Sequence, residues 1–88
     1  MQSEITRKFQ KQVSGCNDQK VKSEIKRILE FVEIAESVSE IKNLKKLKGY
    51  KNYFRIRLGD YRIGIQITGN RIIFAAFDKR ADIYKYFP

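Results

Sequence analysis

The chain has 88 residues, 42% of them hydrophobic and 33% charged, with a formal net charge of +9, no His and a single Cys. A chain this short buries only about 60% of its unfolded surface, so one domain over residues 1–88 with a thin core is expected. Cys16 alone excludes a disulfide scaffold and suits a reducing, cytoplasmic setting; the lack of His disfavours a zinc site, and no stretch nears the roughly 20 apolar residues of a membrane span.

The N-terminus, MQSEITRKF, has no hydrophobic signal region. Ile5, Phe9 and Val13 recur every four residues before Ser14-Gly15, which predicts a short amphipathic helix; residues 2–5 are alternatively a short edge strand. Asn17 or Asp18 can cap a second helix carrying Val21, Ile25, Ile28, Leu29 and Val32 on one face. A short turn between the two makes them an antiparallel hairpin. Val38, Ile41, Leu44 and Leu47 predict a further helical turn or two, stopped by Gly49.

Beyond Gly49 the apolar period changes to two. Phe54, Ile56 and Leu58 alternate with Tyr53, Arg55 and Arg57, and Tyr61, Ile63, Ile65 and Ile67 alternate with Arg62, Gly64, Gln66 and Thr68. Gly59-Asp60 and Gly69-Asn70 are two-residue turns, so Arg71 to Phe77 is the third strand of an antiparallel meander. The first turn sets Phe54 opposite Ile65, Ile56 opposite Ile63, and Arg57 opposite Arg62. The second sets Ile67 opposite Ile72, Ile65 opposite Phe74, Ile63 opposite Ala76 and Gly64 opposite Ala75. The expected fold class is α+β: a helical hairpin packed on the apolar face of a small antiparallel sheet.

Residues 1–40 balance seven bases against seven acids, so the whole excess of charge lies in the sheet half. A one-sided charge on a structured segment implies a polyanionic partner. On the polar face, Arg55, Arg57 and Arg62 surround a floor of Gly64 and Ala75, which describes a shallow cationic groove open to a ligand. Directly opposed arginines repel at a cost of a few tenths to about 1 kcal/mol. Either they splay apart into solvent or they serve as forks for phosphate oxygens. Past the last strand, Arg80 and Tyr84 can reach back over the groove, Arg80 as another phosphate ligand and Tyr84 as a stacking platform or hydroxyl donor; Ile83 and Phe87 are expected to close the core. Lys45, Lys46, Lys48 and Lys51, with Lys42, supply a nonspecific basic approach. Cys16 reads as a small buried or half-buried apolar residue, and the few acids of residues 41–88 are too scattered to hold Mg²⁺. Phosphoryl transfer on such a surface must work through arginine and lysine charge, with RNA supplying its own 2′-hydroxyl.

The run from Leu47 to Ile63, with its L-x-G and Y-x-R-I-R-x-G-D-Y-R pattern, and the later K-R-x-D-I-Y of residues 79–84 resemble the RelE/ParE superfamily of type II toxin-antitoxin toxins. The resemblance covers nearly the whole chain. It implies a RelE-like fold and a ribosome-dependent endoribonuclease that cuts mRNA without a cofactor or metal. It also implies partners: an acidic antitoxin, the ribosome with its rRNA, and mRNA. Carried over by position, the catalytic residues are Arg55, Arg57, Arg62, Arg80 and Tyr84, and Lys45, Lys46, Lys48, Lys51 and Lys79 bind RNA. Arg55 stands where such toxins use a lysine as proposed base, which leaves Lys51 or Lys79 as stand-ins, and Lys79 stands where many have a His. ParE-type members share the fold but poison DNA gyrase and generally lack the terminal arginine and tyrosine, so gyrase inhibition is the alternative, with a non-catalytic RNA-binding module as another.

Overall fold

The computed structural model describes every residue from Met1 to Pro88. Its elements run β1 (Gln2–Ile5), α1 (Arg7–Ser14), α2 (Gln19–Ile34), a 3₁₀ turn (Val38–Glu40), β2 (Leu44–Lys46), β3 (Tyr53–Leu58), β4 (Tyr61–Thr68), β5 (Arg71–Lys79) and α3 (Arg80–Ile83). The strands form one sheet in the order β1-β5-β4-β3-β2. β1 lies parallel to β5 and all other neighbours are antiparallel. The α+β class is as expected, with the meander β3-β4-β5 at the centre and an edge strand added on each side.

Residues 2–5 take the strand alternative, so Ile5 belongs to β1 and α1 starts after Thr6. Thr6 joins three elements: its Oγ1 accepts from the Phe9 amide at 3.1 Å, capping α1, and donates to the Ala75 carbonyl of β5 at 3.0 Å. Asp18 caps α2 by accepting from the amides of Lys20 and Val21.

The helix expected over Ser37 to Leu47 does not form. A 3₁₀ turn ends at Glu40, Asn43 takes a left-handed φ of 62°, and Leu44–Lys46 then pairs with β3 as β2. Asn tolerates that conformation through its short polar side chain, and a residue so placed breaks any helix through it. The apolar spacing of Ile41, Leu44 and Leu47 therefore reflects separate burial in a turn and an edge strand.

The first hairpin has the expected register, with Phe54 opposite Ile65, Ile56 opposite Ile63 and Arg57 opposite Arg62. The second keeps it through Ile67–Ile72 and Ile65–Phe74 and then departs: Gly64 faces Ala76 and Ile63 faces Phe77, with a bulge that leaves Ala75 extra in β5. An inserted residue inverts the facing of all that follow it in the strand. Phe77 thereby turns inward, where it stacks on Tyr61 with ring centroids 5.0 Å apart, and Ala76 turns outward. Without the bulge, the larger apolar side chain would lie on the polar face and the methyl in the core.

Phe9 of α1 and Ile25 and Val32 of α2 pack against Ile56, Ile63, Ile65, Ile72, Phe74 and Phe77 to make the main core. Cys16 is buried in it, as expected. Across the sheet, Ile83 and Phe87 bury with Ala76, flanked by Leu47, Tyr53 and Ala75. They do not close the main core, as the sequence suggested; they form a second apolar cluster that fastens the chain end to the outer face of the sheet.

Candidate functional site

Two rows of side chains cross the outer face. Lys45, Arg55, Gly64 and Ala76 occupy paired positions on β2, β3, β4 and β5, and Arg57, Arg62 and Asp78 do so one step along. Directly paired residues share a face, so Lys45, Arg55, Arg57 and Arg62 are set side by side by strand register alone.

Arg62 is the centre of the group. Only 8% of it is exposed, and its Nη1 donates to the carbonyls of Gly59 at 2.7 Å and Tyr61 at 2.8 Å. Its Nη2 and Nε have no protein acceptor. Burial lowers its pKa from the ordinary arginine value; Tyr84 opposes that shift, and the charges of Arg55, Arg80 and Arg57 add to it. All four remaining predicted catalytic residues therefore lie within electrostatic reach of Arg62. The two ion pairs of the structure, Arg71–Glu4 and Lys85–Asp82, involve none of them.

Asn43 steadies the neighbouring arginines. Its carbonyl accepts from Arg55 Nη1 at 3.0 Å and from the Arg57 amide at 3.3 Å. Sequence reasoning missed this residue; an Asn between a turn and a strand, suited to a left-handed backbone, was the available signal. Arg80 is set in place by its amide, which donates to the Asp60 carbonyl in the β3-β4 turn at 2.8 Å. One turn later Tyr84 ends α3 with 47% of its surface exposed, enough for a base to stack or an oxygen to accept from its hydroxyl.

The open floor of Gly64 and Ala75 is not found. A Cβ at Gly64 would come within 2.7 Å of the Phe87 ring, so that ring lies directly on the glycine. Ala75 is the bulge residue, and Ala76 takes its expected place. The Gly64 position thus serves the tail, whose Phe87 ring covers it. Glycine within a strand commonly marks such a close approach, which was the signal for Phe87.

The predicted lysines divide. Lys45 stands beside Arg55, whereas Lys46 pairs with Phe54 and faces the other way. Lys46, Lys48 and Lys51 line a shallow concavity of about 460 Å³ with the half-exposed Tyr50. Lys79 lines a different cavity, of about 750 Å³, with Gln12, Cys16 and Tyr61.

A polar knot ties the tail to α1. Gln12 Oε1 accepts from the Phe77 amide at 2.9 Å, Gln12 Nε2 donates to the Tyr86 hydroxyl at 2.6 Å, and that hydroxyl donates to Asp78 at 2.9 Å. Lys8 Nζ sits 3.7 Å from the centre of the Tyr86 ring. Burial raises the Tyr86 pKa; the Gln12 bond lowers it and the Asp78 bond raises it further.

Residues 4–84 match the family described as ParE toxin of type II toxin-antitoxin system, parDE. Toxin RelE3 of Methanocaldococcus jannaschii is 57% identical over 37 residues, a match that spans 42% of this chain and 42% of that protein. Among solved structures, the toxin chain of the RelB-RelE antitoxin-toxin complex from Methanococcus jannaschii superimposes with a TM-score of 0.81 at 39% identity, over 96% of this chain and 98% of that one. A chain of the archaeal RelE-RelB complex from Pyrococcus horikoshii gives 0.72 at 19% identity, over 92% and 96%, a likeness of fold. The fold with its arginine-lined face is that of a small toxin, and the chain belongs to the RelE/ParE superfamily of type II toxin-antitoxin systems.

Proposed function

We propose that this toxin is a ribosome-dependent, metal-independent endoribonuclease that cuts mRNA and so stops translation. The observation that carries the reading is a buried guanidinium, Arg62, directly opposite Arg57 on the outer face of the sheet, with no carboxylate in an ion pair with Arg55, Arg57, Arg62 or Arg80. Such a cluster is uncompensated until a polyanion enters.

In this reaction the 2′-hydroxyl of the RNA gives up its proton to water and its oxygen attacks the adjacent phosphorus to form a 2′,3′-cyclic phosphate; the bond to the 5′-oxygen breaks, that oxygen takes a proton from water, and in between negative charge builds on the nonbridging oxygens. Arg62, held on its Nη1 side by two carbonyls, presents Nη2 and Nε toward that charge. Donors fixed before the reaction stabilise developing charge without reorganisation. Arg57 and Arg80 share the same charge, Arg55 is fixed beside them by Asn43, and Tyr84 stacks on or orients the nucleotide. Arginine is too basic to deprotonate the 2′-hydroxyl readily, and Lys51 and Lys79 line two other concavities of the surface. The reading therefore rests on charge stabilisation and alignment more than on a strong protein base, with the ribosome and its rRNA presenting the mRNA.

The RelE relatives above were crystallised with RelB antitoxins. A chain of net charge +9 with its excess on one half calls for a similar arrangement, an acidic, partly disordered antitoxin covering the basic surface. Lys45, Lys46, Lys48, Lys51 and Lys79 add a field for RNA approach.

Induced expression tests the reading. Arrest of translation with mRNA breaks in phase with codons supports it, and Arg80→Ala and Tyr84→Phe should each relieve toxicity while remaining folded. Full toxicity in both variants would sink the assignment. The matching family is described by ParE, so gyrase inhibition is the second reading; DNA damage with intact translation would select it.

A further inference from the structure

We infer that Phe87, seated on Gly64, is a positioning residue that holds Arg80 and Tyr84 over the arginine cluster; the inference rests on the endoribonuclease reading above.

The tail is fixed at two points with the site residues between them. Its start is held by the Arg80 amide on the Asp60 carbonyl, and its last turn is closed by the Phe87 amide on the Ile83 carbonyl at 2.9 Å. The Phe87 ring then lands on β4 at the one residue of the outer face able to receive it. A Cβ at position 64 would meet Cδ2, Cε2 and Cζ of the ring at 2.7 to 2.8 Å, closer than packed carbons approach. Gly64 pairs with Arg55 on one side and Ala76 on the other, and Arg62 is two residues along the same strand. The seat is therefore part of the platform that carries the guanidinium groups.

Tyr53 completes the seat, packing edge-on against the ring with centroids 5.6 Å apart, and Ile83 and Ala76 fill its inner side. Phe87 is 7% exposed and Ile83 is wholly buried, while Tyr84 between them stays half open. A short helix of four residues has little stability of its own, so its packing decides whether Arg80 and Tyr84 occupy one place or many. The seat is on the face of the sheet opposite the main core, so its loss leaves the buried residues of that core packed together.

The test uses the full chain and four forms: wild type, Phe87→Ala, Phe87→Leu and Gly64→Ala. Amide hydrogen exchange of residues 80–87 reads the order of the tail, and single-turnover cleavage of ribosome-bound mRNA reads its consequence. Phe87→Ala and Gly64→Ala should exchange faster across the tail with the core amides still protected. Their cleavage should fall roughly 10- to 100-fold, the scale set by small misplacement of reacting groups. Affinity for an all-2′-deoxy analogue should change far less, and Phe87→Leu should recover most of the rate. Unaltered tail exchange in both Phe87→Ala and Gly64→Ala overturns the inference, as does a mobile tail with undiminished cleavage. A wild-type protein that cuts no RNA refutes the endoribonuclease reading and the inference with it; active wild type with equally active variants refutes the inference alone.

Discussion

Arg57 and Arg62 stand directly opposite each other on β3 and β4, and no carboxylate forms an ion pair with either. Facing like charges destabilise a sheet. An anion lying between them would offset that cost.

Replacing Arg57 by Thr should therefore stabilise the fold while weakening the site. The expected gain is a few tenths to about 1 kcal/mol, read from urea unfolding at low salt, because Thr suits a strand and removes the repulsion. RNA affinity should fall in the same variant. A loss of stability would show that the pair is not repulsive.

Anions should raise the melting temperature of the wild type more than that of Arg62→Gln. A ligand that binds only the folded state stabilises it by about 2.7 kcal/mol at a hundred times its Kd. Pyrophosphate is a suitable probe in a thermal melt, and equal shifts in the two proteins would place its binding elsewhere.

The raised Tyr86 pKa gives a pH dependence of definite sign. The fold favours the neutral phenol, whose ordinary pKa is 10.0, so its contribution is fully present below that value and is lost as pH rises through the higher folded value. Wild type should lose thermal stability more steeply above pH 10 than Tyr86→Phe. Parallel profiles would mean that the hydroxyl held by Gln12 and Asp78 titrates normally.

Thr6→Val should cost roughly 1 to 2 kcal/mol in a chemical melt, since it deprives the Phe9 amide and the Ala75 carbonyl of a partner together. Removing Lys48 and Lys51 should instead leave stability alone and flatten the salt dependence of single-stranded RNA binding, by about 0.7 in logarithmic slope for each phosphate no longer neutralised.

The β3-β4 hairpin was legible in full because a two-residue turn and strict alternation leave one register, and Arg57 and Arg62 came with it. Arg80 and Tyr84 were singled out from their place after the last strand and by resemblance, and the short α3 carries the one and is capped by the other. β2 was not legible: three residues, Leu44–Lys46, carry too few side chains to show a period, and only pairing with β3 makes them a strand. Nor was the bulge at Ala75, since Phe74-Ala75-Ala76-Phe77 permits either facing and core volume makes the choice. The error over Gly64 had a related cause. Its missing side chain looked like room for a ligand, and the occupant was the chain's own end.

The parallel pairing of β1 with β5 also bears on the order of events during synthesis. Gln2 waits for Arg71, and the seat for the tail needs residues later still. During synthesis the first strand of the sheet thus stays without a neighbour until β5 has been made. Arg55, Arg57 and Arg62 are therefore set side by side by the β3-β4 hairpin before the segment carrying Arg80 and Tyr84 has been made.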